Sequence, residues 1–226
     1  RLMRELLFAV MEDPDIEPDM PRLLHVSHDV RYHRHLHPWE AVTLRGVLDH
    51  IEQRKSGLLV GATLAGFVAG EEAVEATTKF FVRDQHIAPV GTGRRAREAA
   101  MPWPAGAPTF QQDIHVSADQ SQRYAAASLD DNPLHVDPVA AREAGFTGVV
   151  VHGLCTMALA GAALLKVVAF GDGRALRRLS VNWTKPVYND SMLRLRAWRS
   201  EDAWRFDVVD ADGDAVISDG LAVIIE

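Results

Sequence analysis

Apolar and polar positions alternate along much of the chain, and this alternation predicts β-strands. In the first half it runs through LLHVSHDVRYHRHL, AVTLRGVLDHIEQR, LLVGATLAGFVAG and EAVEATTKFFVR. The sequence VAGEEAV joins the last two of these segments as a predicted hairpin. Ahead of them, apolar residues at helical spacing over residues 2–11 predict an amphipathic helix, which the three prolines of DPDIEPDMP end.

The second half predicts one long apolar helix followed by strands. TFQQDIHVSAD reads as a strand, QSQRYAAASL and PVAAREAG as short helices, and GLCTMALAGAALLKVVAF (153–170) as a helix that is buried on nearly every side. RALRRLSVNWTKPVY, SMLRLRAWRS and AWRFDVVDADGDAVISDGLAVIIE then predict four strands, with DADGD as a hairpin turn. This order of elements predicts an α+β fold with the helix on one face of an antiparallel sheet.

Composition narrows the class of protein. The chain has 226 residues, of which 47% are hydrophobic and 24% charged, as is ordinary for a soluble globular protein. A net charge of -7 argues against broad nucleic-acid binding. No apolar run reaches the roughly 18–20 residues of a membrane span, and no signal peptide is recognisable. Cys155 is the only cysteine, which excludes an intrachain disulfide and fits the reducing cytoplasm.

The densest group of chemically useful side chains lies in YAAASLDDNPLHVDPVAAREAGFTGVVVHGLC, residues 124–155. Asp130 and His135 stand five residues apart on a proline-containing loop, so both side chains can face one water molecule. Taken alone, an Asp-x-Asn-Pro segment is usually a turn or a helix start. Ser128 beside this pair suggests a serine hydrolase, but the sequence has no G-x-S-x-G elbow. Cys155 is interpreted as a small core residue.

The same segment resembles the hydratase motif of the MaoC-like, (R)-specific enoyl-CoA hydratase family. The resemblance is carried by Y-A-A-A-S-L-D-D-N-P-L-H, D-P-x-x-A-R-E-A-G-F and V-H-G-L-C-T, close over residues 124–156 and weaker over the rest of the C-terminal half. The sequence departs from the family pattern at Leu129, which stands where the family has a glycine before its catalytic aspartate. If that position needs a positive φ, leucine costs backbone freedom there.

The resemblance implies reversible hydration of a trans-2-enoyl thioester to an (R)-3-hydroxyacyl thioester. Asp130 and His135 would act as acid and base on water and on the α-carbon. The backbone N–H of Gly153, at the start of the apolar helix, would stabilise the enolate oxygen. Residues expected to contact substrate or support the loop are Leu129, Asn132, Val150, His152 and Leu154, with His152 interpreted as packed rather than catalytic. The reaction needs no metal, flavin or nicotinamide, and the expected partner is an acyl-CoA.

By the same resemblance the chain is a double hotdog, in which antiparallel sheets each wrap around a central helix. Residues 1–90 would form a degenerate, catalytically silent hotdog that is incomplete at its start. Residues 91–108 would form a linker, and 109–226 the hotdog that carries the motif. The two halves repeat the same order of helix and strands. A cytoplasmic homodimer is expected, since hotdog sheets commonly pair edge to edge.

Two other groups of side chains suggest binding. His33, His35 and His37 alternate in YHRHLHP, so on a strand they would share one face, which would suit Zn²⁺. A solvated strand face is the commoner outcome for such a pattern. The phosphates of coenzyme A would suit basic residues, and the candidates are Arg94, Arg95, Arg97, Arg178 and Lys185. For the three linker arginines, a solvated face is the commoner interpretation.

Three rival functions stay open on the sequence. One is a zinc-binding module based on the three alternating histidines, which metal analysis would identify. A hotdog thioesterase would share the fold, and release of a free thiol from acyl-CoA would identify it. A non-catalytic acyl-binding subunit is favoured by Leu129, and it would bind acyl-CoA without turnover.

Overall fold

The computed structural model describes residue 9 and residues 22–84 and 103–225. The chain divides into two units, Arg1–Pro102 and Trp103–Glu226. Of the predicted helix over residues 2–11, only residue 9 is described, and it is helical. The arginines of the predicted linker lie outside the described residues.

The first unit contains a four-stranded antiparallel sheet. Its strands are β1 (Leu23–Tyr32), β2 (Thr43–Arg54), β3 (Gly57–Val68) and β4 (Glu71–Arg83), in the order β2-β3-β4-β1. A buried cluster of apolar side chains from β3 and β4 forms its core, namely Leu58, Val60, Phe80 and Val82. The predicted hairpin between β3 and β4 is confirmed. Ala69 and Gly70 both have positive φ there, the geometry that suits the twist of a two-residue hairpin.

Two histidines of β1 are set into this sheet. The His25 ring stacks on Phe80 with 4.4 Å between ring centroids, and its Nε2 shares a 2.6 Å hydrogen bond with Thr78. The His28 ring meets His25 edge-on at 5.7 Å. Burial lowers the pKa of both rings, that of His28 to about 4, so both are neutral near neutral pH.

The predicted strand over YHRHLHP is wrong beyond Tyr32, where β1 ends. The backbone N–H of His33 already turns to the Ala73 carbonyl, 2.9 Å away. The chain after it is held by Arg34, whose guanidinium donates to both carboxylate oxygens of Glu40, at 3.1 and 2.9 Å. The three alternating histidines therefore do not share a strand face, and the alternative of a three-histidine zinc site on that face has no geometric basis.

His33 has acidic neighbours instead. Its Nε2 lies 3.0 Å from a carboxylate oxygen of Glu72. Together with Glu75 these residues place three potential ligand atoms within 4.8 Å of one another on an exposed surface.

The second unit is a five-stranded antiparallel sheet with a long helix packed against it. Its strands are β5 (Phe110–Val116), β6 (Leu176–Trp183), β7 (Ser191–Ser200), β8 (Ala203–Val209) and β9 (Ala215–Ile224), in the order β6-β9-β8-β7-β5. Four helices lie between β5 and β6 along the chain: α1 (Gln120–Ser128), α2 (Pro133–Val136), α3 (Pro138–Glu143) and α4 (Gly153–Val168). The expected α+β class and the helix-on-sheet arrangement of a hotdog are confirmed for this unit.

Helix α4 is the long apolar helix of the sequence. It contacts β5, β6, β7 and β9, and it buries Ala160, Gly161 and Leu164. It ends two residues before the predicted position because Phe170 is left-handed (φ 50), and the Gly171 N–H turns back to the Leu165 carbonyl at 2.9 Å. Among the described helices, none combines the length and apolarity that crossing a membrane requires.

Candidate active site

The turn out of α1 sets the direction of Asp130. Leu129 ends that helix in the left-handed conformation (φ 64, ψ 24), with its N–H bonded to the Ala125 carbonyl at 2.8 Å. The next N–H, that of Asp130, donates to Ser128 Oγ at 3.2 Å. The position before Asp130 thus has the positive φ that favours glycine, and a non-glycine residue there costs about 1–2 kcal/mol. The Leu129 side chain is 50% exposed.

The Asn-Pro pair builds the short helix that carries His135. Asn132 Oδ1 accepts from the Leu134 N–H at 3.1 Å, which caps the start of α2. Pro133 occupies the first helical position, where its missing N–H is harmless. The Asn132 carbonyl accepts from the His135 N–H at 2.9 Å. The contacts of Asn132 are therefore those of a helix cap, while its contact with substrate stays a prediction.

The ring of His135 is fixed in one tautomer. Its Nδ1 lies 2.7 Å from the Val150 carbonyl oxygen, which can only accept, so Nδ1 carries the hydrogen and Nε2 has the lone pair. The Val150 N–H donates in return to the Leu134 carbonyl of α2 at 3.1 Å. Burial lowers the pKa of His135, although the Val150 bond and nearby Asp130 oppose the shift. The ring is therefore neutral near neutral pH.

His152, the residue before α4, lies beneath this pair. It is 2% exposed, and its ring stacks on that of His135 at 3.8 Å between centroids and 26° between planes. Its Nε2 lies 2.9 Å from the Asp130 carbonyl oxygen. Its buried Nδ1 has no hydrogen-bond partner among the described residues. Burial, reinforced by His135, lowers the pKa of His152 to about 4.

The segment between α1 and α2 and the residue before α4 thus bring three groups together. A carboxylate oxygen of Asp130 and ring nitrogens of His135 and His152 lie within 4.8 Å of one another. A metal would accept such a donor set in principle. The two imidazoles are stacked, however, so their in-plane lone pairs run side by side rather than converging on one ion. The arrangement suits proton transfer at Asp130 and His135 better than metal binding.

Tyr124 closes this group from α1. Its ring lies 4.8 Å from that of His152, and burial raises its pKa to about 12, so the phenol keeps its proton. The sequence motif begins at this tyrosine, but the motif alone gave it no role.

Gly153 begins α4, and a neighbouring tryptophan packs closely against it. A Cβ at this position would lie 3.1 Å from the indole of Trp183 on β6. The His152 side chain makes no capping bond to the helix. The N–H groups of the first turn have no partners within the helix, and they lie at its positive end. Trp183 was not predicted, since it lies on another element and no local pattern links it to Gly153.

The two side chains that could act as nucleophiles, those of Ser128 and Cys155, make structural contacts instead. Ser128 Oγ donates to the Tyr124 carbonyl at 2.7 Å within α1. Cys155 is buried, its Sγ accepts from Gln120 at 3.4 Å, and burial raises the pKa of its thiol. Neither side chain resembles an activated nucleophile.

The remaining predicted contacts have mixed outcomes. Val150 acts here through its backbone, and Leu154 lies partly buried in the first turn of α4. Their contact with an acyl group stays a prediction. Lys185 is paired with the carboxylate of Asp214, and Arg178 also has partners within the protein. The other three arginines proposed for coenzyme A lie outside the described residues.

An antiparallel sheet with a long helix on one face, and an Asp–His pair in the segment before that helix, are the features of the hotdog hydratase and dehydratase class. The MaoC-like domain model matches residues 101–218. The chain belongs to the MaoC-like domain family.

Comparison with known proteins agrees with this assignment. The chain is 32% identical over 150 residues to the peroxisomal hydratase-dehydrogenase-epimerase of Saccharomyces cerevisiae, which covers 64% of this chain but only 16% of that enzyme. It is 31% identical over 209 residues to 3-hydroxyacyl-thioester dehydratase Y of Mycobacterium tuberculosis, covering 88% of this chain and 71% of that protein. Among solved structures, a MaoC-like dehydratase from Phytophthora capsici supports the fold. Its TM-score is 0.82 at 24% identity, over 92% of this chain and 70% of that one.

Proposed function

We propose that this chain catalyses the reversible hydration of a trans-2-enoyl thioester to an (R)-3-hydroxyacyl thioester. The observation that carries the proposal is the pairing of the Asp130 carboxylate with a neutral His135. The two groups lie within 4.8 Å of each other, and the His135 tautomer leaves Nε2 unprotonated. The mycobacterial relative is named for the dehydration direction of this reaction. The (R) configuration follows from the resemblance of the motif.

In the proposed mechanism, Asp130 orients a water molecule and His135 Nε2 takes one of its protons. The hydroxide oxygen bonds to the β-carbon, and the electron pair of the double bond moves onto the thioester oxygen. The N–H of Gly153, at the positive end of α4, stabilises that oxygen. The imidazolium of His135 then returns the proton to the α-carbon, so that one water has been added across the double bond.

The proposal also covers the surroundings of the reaction. The acyl carrier is coenzyme A, no cofactor takes part, and the protein acts as a homodimer in the cytoplasm. The resemblance of the motif supports coenzyme A as the carrier and the absence of a cofactor. The homodimer is supported by the edge-to-edge pairing that is common among hotdog sheets. The single cysteine supports the cytoplasmic location, although the yeast relative is named as peroxisomal. Sedimentation of the purified protein and imaging of a tagged full-length protein would test assembly and location.

The experiment that tests the reaction follows the ultraviolet absorbance of short and long trans-2-enoyl-CoA substrates. Asp130→Asn is expected to lower kcat by about 10²-fold, because the carboxylate that orients the attacking water is lost. Asp131→Asn is the matched control, because Asp131 is the exposed next residue of the same loop, and it is expected to keep full activity. Equal turnover by wild type and Asp130→Asn would contradict the proposal. Release of free thiol would identify a thioesterase instead.

One observation favours a second candidate, a non-catalytic acyl-binding subunit. Leu129 imposes a side chain on a left-handed position directly before Asp130. If that side chain blocks the site, the folded wild-type protein will bind acyl-CoA but turn over no enoyl-CoA of any length. Leu129→Gly would then restore turnover.

A further inference from the structure

We propose that His152 is a positioning residue that holds Asp130 and His135 in register with each other. This inference rests on the proposed function. The side chain touches both members of the pair at once. Its Nε2 lies 2.9 Å from the Asp130 carbonyl oxygen, and its ring stacks on that of His135 at 3.8 Å.

The hydrogen bonds assign opposite tautomers to the two stacked rings. The Asp130 carbonyl only accepts, so His152 carries its hydrogen on Nε2, whereas His135 carries its hydrogen on Nδ1. His152 Nδ1 is then a bare acceptor, buried and without a partner among the described residues. A buried polar atom left unsatisfied costs folding free energy and calls for an explanation.

The explanation lies in what other side chains would lose. Phenylalanine would keep the stack on His135 but lose the donor to the Asp130 carbonyl. Glutamine would keep a donor but lose the stack. Of these three side chains, the neutral histidine of this tautomer alone supplies both contacts, and the unsatisfied Nδ1 accompanies it.

The loop before His135 needs this outside support. Asp130 follows the left-handed Leu129, and on the α1 side its backbone is held by one bond, from its N–H to Ser128 Oγ at 3.2 Å. His152 binds the carbonyl of the same residue from the start of α4. One side chain thus connects the loop that carries the carboxylate, the ring of the base and the helix that carries Gly153.

The burial of His152 keeps its ring neutral near neutral pH. Burial and the adjacent His135 lower its pKa to about 4, so the ring stays neutral while His135 takes up a proton. A second charge stacked against the imidazolium formed in the reaction would oppose catalysis. The ring therefore positions other groups and does not itself exchange protons with substrate.

The kinetic test uses His152→Phe and His152→Gln, with His115→Gln on the exposed side of β5 as the control. We expect kcat to fall by about 10²-fold in both variants at unchanged KM, as for a displaced catalytic group. In His152→Gln the pKa of His135 should also rise, because its ring loses its cover. The acid limb of kcat/KM then moves to higher pH, while His152→Phe leaves it in place. A purely structural role would reduce the folded fraction but leave kcat per folded protein and the pH profile unchanged.

A second measurement needs no turnover. Nitrogen-15 NMR of the imidazoles in the wild type should show His152 as the Nε2–H tautomer and His135 as the Nδ1–H tautomer. The opposite tautomer at His152, or an unchanged His135 signal in both variants, would overturn the inference. If the tautomers are as expected but the wild type hydrates no enoyl-CoA, the proposed function fails and the positioning contact stands.

Discussion

The two units share one strand order, but in the second unit an additional strand and four helices precede the four shared strands. Starting from the first strand, the first unit runs β1-β4-β3-β2 and the second runs β6-β9-β8-β7. In both units, the fourth of these strands along the chain pairs with the first, β4 with β1 and β9 with β6. The second unit adds β5 beyond β7, with helices α1 to α4 between β5 and β6. The described part of the first unit has no counterpart of this insertion.

The proposed site residues lie in a segment that, within the described residues, only the second unit has, and the strands that both units share support them. Asp130, His135 and Gly153 all lie in the insertion, while the sheet supplies support such as the Trp183 indole behind Gly153. The first unit also holds two neighbouring histidines of lowered pKa. Neither of these belongs to a carboxylate-containing cluster among the described residues. The second unit therefore differs from the first in placing a carboxylate and the start of a long helix beside its pair of imidazoles.

The largest expected effect tests this comparison directly. His135→Gln removes the proposed base and should lower kcat by about 10²–10⁴. His28→Gln changes a buried ring of the first unit and should leave kcat per folded protein unchanged. Steady-state rates on enoyl-CoA, normalised to the folded fraction from circular dichroism, measure both. A comparable loss in His28→Gln would show that the first unit takes part in catalysis.

The next effect concerns the start of α4. Gly153→Ala places a methyl group 3.1 Å from the Trp183 indole, so the helix start or the ring must shift by a few tenths of an ångström. We expect kcat to fall by about 10²-fold through displacement of the oxyanion donor.

The matched control for Gly153 is Gly161→Ala in the same helix. Its new Cβ meets Leu179 Cδ2 at 2.9 Å, and that atom is the end of a flexible side chain. This variant should keep its activity and gain the helix propensity of alanine, roughly 0.5–1 kcal/mol. Equal kinetic losses in the two variants would remove the special role of Gly153.

Acid should weaken both units. Neutral histidines whose folded pKa is lowered take up protons more readily in the unfolded chain, so stability falls as pH drops. The loss begins near the unfolded value of about 6.5 and continues towards about 4, where His28 and His152 titrate in the folded protein. Urea unfolding at pH 7 to 4 measures it. His28→Leu should remove part of the slope, and a pH-independent free energy of unfolding would refute the expectation.

The smallest effect concerns Leu129. Leu129→Gly relieves about 1–2 kcal/mol of left-handed strain and gives back roughly 0.5–1 kcal/mol in glycine chain entropy. Denaturant titration should therefore show a gain in the free energy of unfolding of about 1 kcal/mol or less. A clear loss of stability would mean that the half-exposed leucine makes packing contacts that outweigh its backbone strain.

Local pattern predicted the elements and the Asp130–His135 pair, because strand alternation, the helix around Leu154 and the spacing on one loop are short-range features. It failed for YHRHLHP, where alternation continues but the backbone turns away. The side chain of Glu40 and the carbonyl of Ala73 hold it there. The contacts of His152 and Trp183 were equally beyond reach, since each joins segments that meet only through the fold.

The helix that carries His135 has four residues, too few to persist unaided. Its bond from the Val150 amide to the Leu134 carbonyl breaks whenever that turn unwinds. The deuterium exchange rate of the Val150 amide therefore reports how often the short helix unwinds and His135 moves away from Asp130. The measurement needs no substrate.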